Sequence, residues 1–177
     1  MKFYLFVLVI VMLAFVPVVD SADSTDVIAR AINLSGEIRG NYSISGEIRF
    51  VSGDIKVGNA ETRRYPSGDY VIILDDEQLS SVNDEELKGL LAHEMVHLED
   101  YSAMSLVGVG FLALRYVFSD DFRKNYERAT DIRTIEKGFG EELLAFREYD
   151  FEIANEEEAI VLRENYLSPE EIRGAIE

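Results

Sequence analysis

The chain has 177 residues, 47% of them hydrophobic, and this length favours one compact domain with a substantial core over two domains. Its 34 acidic and 17 basic side chains give a formal net charge of −17 at pH 7, which would repel nucleic acid and anionic lipid headgroups. Cysteine is absent, so the sequence excludes disulfide bonds and thiolate ligands, and any metal site must be built from histidine and carboxylate.

The amino-terminal segment is apolar from position 3 to position 19 and follows a single lysine, Lys2. This pattern predicts a secretion signal or an uncleaved membrane anchor at positions 1–22, with a single domain at positions 23–177. Both alternatives stay open. Either one predicts an extracytoplasmic protein that is secreted or associates with a membrane through residues 3–19.

Short strands are predicted between positions 35 and 74. The sequence SGEIR occurs at 35–39 and again at 45–49, with apolar residues alternating with charged ones, and a third strand is expected at 54–57. The most strongly predicted strand follows the turn Pro66–Asp69 and is a largely β-branched apolar run of five residues. These five residues are Tyr70, Val71, Ile72, Ile73 and Leu74.

Helices are predicted for most of the remaining chain. One begins near Asp84 and ends near Asp100, and a second lies between Ser119 and Gly138. The acidic sequence at 141–177 is also helix-forming. Three capping boxes mark helix starts, at Asn83 with Glu86, Asn155 with Glu158, and Ser168 with Glu171. Strands followed by helices predict an α+β domain with a small antiparallel sheet.

A second apolar run extends from Ser102 to Ser119. Its two glycines, Gly108 and Gly110, and its single charged residue, Arg115, weaken the interpretation as a membrane span. We expect a buried helix here in preference to a segment that dips into a bilayer surface.

Both histidines of the chain lie in the segment LLAHEMVHLEDY at 90–101. On a helix, His93 and His97 lie one turn apart on the same face, so their ring nitrogens can converge on one cation. Glu94 lies beside them, within reach of a metal-bound water. This HExxH arrangement suits hydrolysis, because zinc acidifies the water while the carboxylate accepts its proton. The alternative is an ordinary packed helix with two unrelated histidines.

A third metal ligand would have to be a carboxylate, and the segment YERATDIRTIEKG offers a candidate. Glu127 and Asp131 are four residues apart and share a helix face. We expect Glu127 to bind zinc and Asp131 to accept the N–H of a ligand histidine, His93, which fixes the tautomer of the ring. Such a pair is otherwise typical of a solvated helix face.

The stretch NAETRRYPSGDYVIILDDEQLSSVNDEELKGLLAHEMVHLED at 59–100 resembles the gluzincin metallopeptidases, in the family of the CAAX prenyl proteases and heat-shock membrane proteases. Glu127, Ala129 and Asp131 are similar to the later E-x-x-A-D motif of that family, with the alanine displaced by one position and Thr130 in its place. The length is closest to the minigluzincins. One apolar run separates the histidines from the glutamate, where larger members have two membrane spans, so a reduced scaffold is expected.

The resemblance implies a zincin-like fold, one zinc ion per chain, and a peptide or protein substrate. It implies that an edge strand above the active-site helix binds the substrate backbone, and Tyr70–Leu74 is the candidate, although its apolar content equally suits core packing. An oxyanion donor is also needed. Tyr149, Tyr166 and Arg133 are unranked candidates.

Three hypotheses of function follow. The first is a zinc-dependent endopeptidase, which would be latent if a carboxylate or carbonyl from the segment at 141–177 occupies the cleft; otherwise that segment simply covers the core. The second is a catalytically silent zinc-bound interaction or regulatory module, against which Glu94 argues. The third is a structural membrane-anchored domain in which HExxH is coincidental. The oligomeric state is not predicted.

Overall fold

The structure, a computed structural model, describes residues 26–55 and 58–177. Within these residues the fold is α+β, as predicted. Three strands are followed by six helices, and one further helix precedes the sheet. In chain order the elements are α1 (Asp26–Ile38), β1 (Ile48–Ser52), β2 (Ala60–Arg64), β3 (Tyr70–Leu74), α2 (Asp84–Ala103), α3 (Leu106–Phe118), α4 (Asp120–Glu136), α5 (Gly140–Ile153), α6 (Glu156–Asn165) and α7 (Pro169–Ile176).

The three strands form one mixed sheet in the order β1-β3-β2. β3 lies in the centre, parallel to β1 and antiparallel to β2. The prediction of an antiparallel sheet is therefore wrong for β1. Four of the five residues of β3 are buried, so both of its faces are covered, and this explains the apolar character of the strand.

The two copies of SGEIR adopt different structures. In the first copy, Ser35–Ile38 forms the last turn of α1, and Arg39–Asn41 continues as a 3-10 turn. The predicted strand is wrong here because buried Ala31, Leu34 and Ile38 recur at helical spacing and outweigh the local alternation. The second copy leads into β1. The strand expected at 54–57 is not formed at 54–55, and positions 56–57 lie outside the described residues.

The predicted helix starts are confirmed at all three capping boxes. The Asn83 side chain accepts hydrogen bonds from the main-chain N–H groups of Glu85 and Glu86, and the Glu86 carboxylate accepts the N–H of Asn83. Equivalent boxes begin α6 and α7. The helix predicted to end near Asp100 continues to Ala103.

Helix α2 lies in the middle of the core. Its buried apolar side chains pack against α1, α4, α5 and β2. At Gly89, α5 lies directly against the α2 backbone, and a Cβ there would meet the carbonyl oxygen of Glu142 at 2.0 Å. This packing leaves the histidine face of α2 turned towards α4.

Helix α3 buries only one face. Val109, Leu112, Ala113 and Tyr116 are buried. The opposite face is exposed and includes Val107, Phe111, Leu114 and Phe118. The expected buried helix is therefore correct for one side of α3 only.

The structure does not support the extracytoplasmic location that was predicted from the sequence. Among the described residues, no helix is both long enough and apolar enough to cross a membrane. α3 has 13 residues, about 20 Å at 1.5 Å per residue, against a hydrocarbon core of about 30 Å. The signal or anchor predicted at positions 1–22 lies outside the described residues, and neither a secreted nor a membrane-anchored protein is supported.

Candidate metal centre

The structure brings the predicted ligand residues together at the contact between α2 and α4. Nε2 of His93 lies 3.2 Å from Nε2 of His97 and 3.1 Å from Oε2 of Glu127. Nε2 of His97 lies 3.5 Å from the same Glu127 oxygen. All three residues are buried, with 3–7% of their surface exposed. Two consecutive turns of α2 supply the histidines, and the second turn of α4 supplies the carboxylate.

The tautomer of His93 follows from its neighbour Asp131. Nδ1 of His93 lies 2.8 Å from Oδ1 of Asp131, which is fully buried. Because burial of Asp131 is outweighed by the charge of Arg147 and the hydrogen bond from His93, the pKa of the Asp131 carboxyl is held below its usual value. The ionised carboxylate accepts the Nδ1–H. When the ring of His93 is neutral, it therefore directs an Nε2 lone pair to the centre of the site.

The tautomer of His97 follows in the same way. Tyr126 donates its O–H to Asp100 over 3.1 Å, and the Tyr126 oxygen lies 3.2 Å from Nδ1 of His97. Since the phenol proton points to Asp100, Nδ1–H of His97 donates to the phenol oxygen. Nε2 of His97 then also presents a lone pair.

The three central atoms fit a divalent cation. Ligand atoms about 2.0–2.2 Å from a tetrahedral zinc ion lie about 3.3–3.5 Å from one another, close to the 3.1–3.5 Å separations here. Tyr116 donates its O–H to Oε1 of Glu127 over 2.5 Å, which leaves Oε2 for the centre. Three buried lone pairs that face one another need a proton or a cation between them.

Without a metal, a proton fills this position. Burial would lower the pKa of His93, but its hydrogen bonds with Asp131 and Glu127 outweigh burial and raise that pKa to about 9. Burial would raise the pKa of Glu127, but the charge of His97 and the hydrogen bonds of both histidines hold it well below its usual value. Charged His93 and Glu127 therefore pair in the metal-free protein.

Glu94 lies beside the ligand triangle. One carboxylate oxygen of Glu94 and one ring nitrogen of each histidine lie within 4.8 Å of one another. Thr62 of β2 donates its hydroxyl to Oε2 of Glu94 over 2.5 Å. Since Glu127 Oε2 lies close to both Nε2 atoms and Glu94 is held by Thr62, Glu127 suits the ligand position and Glu94 suits the role of base.

A buried ionic network that the sequence did not reveal extends behind Asp131. Arg147 of α5 donates to Asp131 over 3.0 Å and to Asp150 over 3.1 Å. Asn59 donates its amide to Asp150 over 2.5 Å, and burial raises the pKa of that aspartate. The one sequence signal was the spacing of Arg147 and Asp150 on an acidic helix, which by itself is typical of a surface ion pair.

Of the three oxyanion candidates, only Tyr166 lies next to the histidines. Its ring centroid is 5.9 Å from that of His93. Tyr149 donates its O–H to the carbonyl of Gln78 in the loop before α2. Arg133 is held in ion pairs by Glu99 and Asp100 at the end of α2.

The expectation that Tyr70–Leu74 binds the substrate backbone is wrong. β3 is the central strand, so β1 and β2 already occupy the hydrogen-bonding groups on both its sides. The strand that lies against α2 and carries Thr62 is β2. Within the described residues its outer side is unpaired, so Ala60–Arg64 is the edge strand near the histidines.

The carboxy-terminal segment contacts the site through Tyr166 and Leu167. The N–H of Leu167 donates to Oδ2 of Asp131 over 2.9 Å, and the Tyr166 ring stacks on the Arg147 guanidinium. Arg128 holds the segment by donating to the Tyr166 carbonyl over 2.6 Å and by pairing with Glu171. The contact is thus made by a ring and an N–H, whereas the hypothesis of latency required a carboxylate or a carbonyl, and the alternative was a segment that only covers the core.

No protein-family model, curated protein or solved structure matches the chain. The similarity to gluzincins therefore depends on the two motifs and on the distances between their side chains.

Proposed function

We propose that the protein is a zinc-dependent endopeptidase of the gluzincin type. His93, His97 and Glu127 would hold one zinc ion per chain. The observation that carries the proposal is the buried triangle formed by the two histidine Nε2 atoms and Oε2 of Glu127, 3.1–3.5 Å apart, with a second carboxylate, Glu94, beside it. A purely structural zinc site would use a fourth protein ligand and has no need of a base.

The side chains around the triangle have distinct roles in this proposal. When bound, the zinc ion supplies a Lewis acid and lowers the pKa of a water molecule towards neutrality. Glu94, oriented by Thr62, accepts a proton from the attacking water and delivers it to the leaving nitrogen. Asp131 holds the His93 ring in the tautomer that leaves Nε2 free.

Tyr166 is the proposed donor to the developing oxyanion. Burial and the charge of Glu127 raise its pKa well above the usual value, so the phenol keeps its proton and can donate it in a hydrogen bond. Its ring makes an edge contact with the His93 ring, and the Arg147 guanidinium stacks on it. The outer side of β2 supplies main-chain groups with which a peptide substrate can pair.

The packing of the carboxy-terminal segment supports latency of this enzyme. The three ligand residues are almost fully buried, and Arg128 holds the segment at both Tyr166 and Glu171. Loosening α7, which Glu171 ties to Arg128, would admit a peptide to the site while Tyr166 stays in place. The same burial supports the second candidate function, a zinc-bound module without catalytic activity.

The experiment compares four proteins after zinc loading: the wild type, Glu94→Gln, Glu171→Gln, and the double variant of both substitutions. Cleavage of a quenched fluorogenic peptide mixture is measured beside zinc content. We expect Glu171→Gln to be more active than the wild type, because it loses the ion pair that holds α7 while Arg128 still binds the carbonyl of Tyr166. Glu94→Gln should keep zinc and reduce cleavage about 10²–10⁴-fold in either background. Glu164→Gln, at an exposed position of α6, is the matched control.

Each outcome separates the candidates. Equal zinc in all variants with no cleavage by any of them would favour the silent module. Failure of the wild type to bind zinc would remove both zinc-dependent functions.

A further inference from the structure

Among the described residues, no strand pairs with the outer edge of β1, on the side of the sheet opposite to β2. The main-chain carbonyl of Glu47 accepts the N–H of Tyr70, and the N–H of Gly53 donates to the carbonyl of Leu74. The main-chain groups of the odd-numbered residues at 47–53 therefore point towards β3. In a parallel ladder the alternate residues point the other way. The N–H and C=O groups of Ile48 and Phe50 therefore face outwards, and the described residues supply no strand beside them.

A cleft of about 470 Å³ lies along this edge, between β1 and α1. Its apolar lining comes from Ile32 of α1, which is half exposed, and from Ile48 and Phe50. A free strand edge beside an apolar cleft has the two features that bind an extended peptide, namely main-chain pairing and pockets for alternate side chains.

The charge of the cleft is opposite to that of the protein as a whole. Arg39 and Arg49 line it in a chain of net charge −17. Arg39 donates to the carbonyl of Gly46, and among the described residues no carboxylate forms an ion pair with it. Arg49 is half exposed and lies 3.9 Å from Asp69. Both guanidiniums keep donors free for an incoming anion.

We propose that β1 and this cleft form a docking site for an extended acidic peptide, distinct from the metal centre. The peptide adds to the sheet beside β1. Alternate apolar side chains contact Ile48 and Phe50, and acidic side chains between them meet the arginines. A second copy of this chain is a poor occupant, because two β1 edges brought together would bring Arg39 and Arg49 of each copy close to those of the other.

The test measures fluorescence anisotropy of labelled octapeptides with the full-length protein in EDTA, which prevents any zinc-dependent cleavage. The probe peptide alternates valine with glutamate. One control peptide alternates valine with lysine, and another has the probe sequence with every second amide N-methylated. The double variant Arg39→Glu, Arg49→Glu is compared with Arg163→Glu, Arg173→Glu, which has the same change in net charge on the carboxy-terminal helices.

We expect the probe to bind the wild type and the control variant equally, and the Arg39/Arg49 variant about tenfold or more weakly. Lysine peptide and N-methylated peptide should not compete. Bound probe should slow hydrogen exchange at the Ile48 and Phe50 amides. Equal affinity of the two double variants, equal binding of the N-methylated peptide, or no binding up to about 1 mM would overturn the proposal. A dimer that dissociates in the Arg39/Arg49 variant would assign this edge to a second copy instead.

Discussion

The Asp131 carboxylate accepts Nδ1–H of His93 over 2.8 Å from a fully buried position. The same side chain also accepts hydrogen bonds from Arg147 and from the N–H of Leu167. One aspartate thus orients the proposed zinc ligand and ties it to α5 and to the carboxy-terminal segment.

Asp131→Asn should weaken zinc binding about 10–100-fold, because a neutral acceptor makes the His93 ring a less basic ligand. Competition with a chelating dye at fixed pH measures the affinity. Asp121→Asn, at an exposed position in the first turn of α4, removes one carboxylate outside the site and serves as the control. Equal zinc affinity for Asp131→Asn and the wild type would contradict the role assigned to this hydrogen bond.

Thr62→Val should lower kcat for peptide cleavage about 10–100-fold while KM changes little, because the hydroxyl orients Glu94 and valine has the same shape without the donor. Thr62→Ser keeps the donor and should recover most of the rate. Steady-state kinetics of both variants, with zinc content measured in parallel, test this. If Thr62→Ser and Thr62→Val lowered kcat equally, loss of the hydroxyl would not be the cause of the lower rate.

Gly89→Ala should destabilise the fold by roughly 1–3 kcal/mol, since its methyl group would overlap the Glu142 main chain and push α5 away from α2. Gly110→Ala is the matched control. Nothing lies within 4 Å of its added Cβ, so helix propensity alone should stabilise α3 by about 0.5–1 kcal/mol. Urea unfolding measures both changes, and a neutral Gly89→Ala would contradict the close contact.

The metal-free protein should become less stable as the pH rises from about 6.5 to about 9. The pKa of His93 is raised from 6.5 in the unfolded chain to about 9 in the fold. Its stabilising contribution is therefore complete below pH 6.5 and is lost as the pH rises through 9. Zinc replaces the proton at Nε2 and should abolish this decrease.

Denaturant unfolding at pH 6, 7.5 and 9, in EDTA and with excess zinc, compares the two states. A metal-free protein whose stability did not fall over this range would show that His93 is not protonated in the fold. Proton release on zinc binding at pH 7.5, measured in two buffers of different ionisation enthalpy, gives an independent check.

The sequence determined the parts of this protein that depend on neighbours along the chain. Capping boxes fixed three helix starts because the interacting groups are three residues apart. Helical spacing likewise put His93 on the same face as His97, and Glu127 on the same face as Asp131. The five residues of the first SGEIR copy could not be assigned by themselves, because they suit a strand or the last turn of a helix.

Only the tertiary structure decided which distant groups meet. Tyr70–Leu74 is the central strand because β1 and β2 pair on either side of it. The edge strand near the histidines is therefore β2. Thr62 reached Glu94, and Arg147 reached Asp131, across 32 and 16 positions of the chain. Such pairs result from the packing of whole elements around α2, where burial selects partners by charge and hydrogen bonding, so no local pattern in the sequence specifies them.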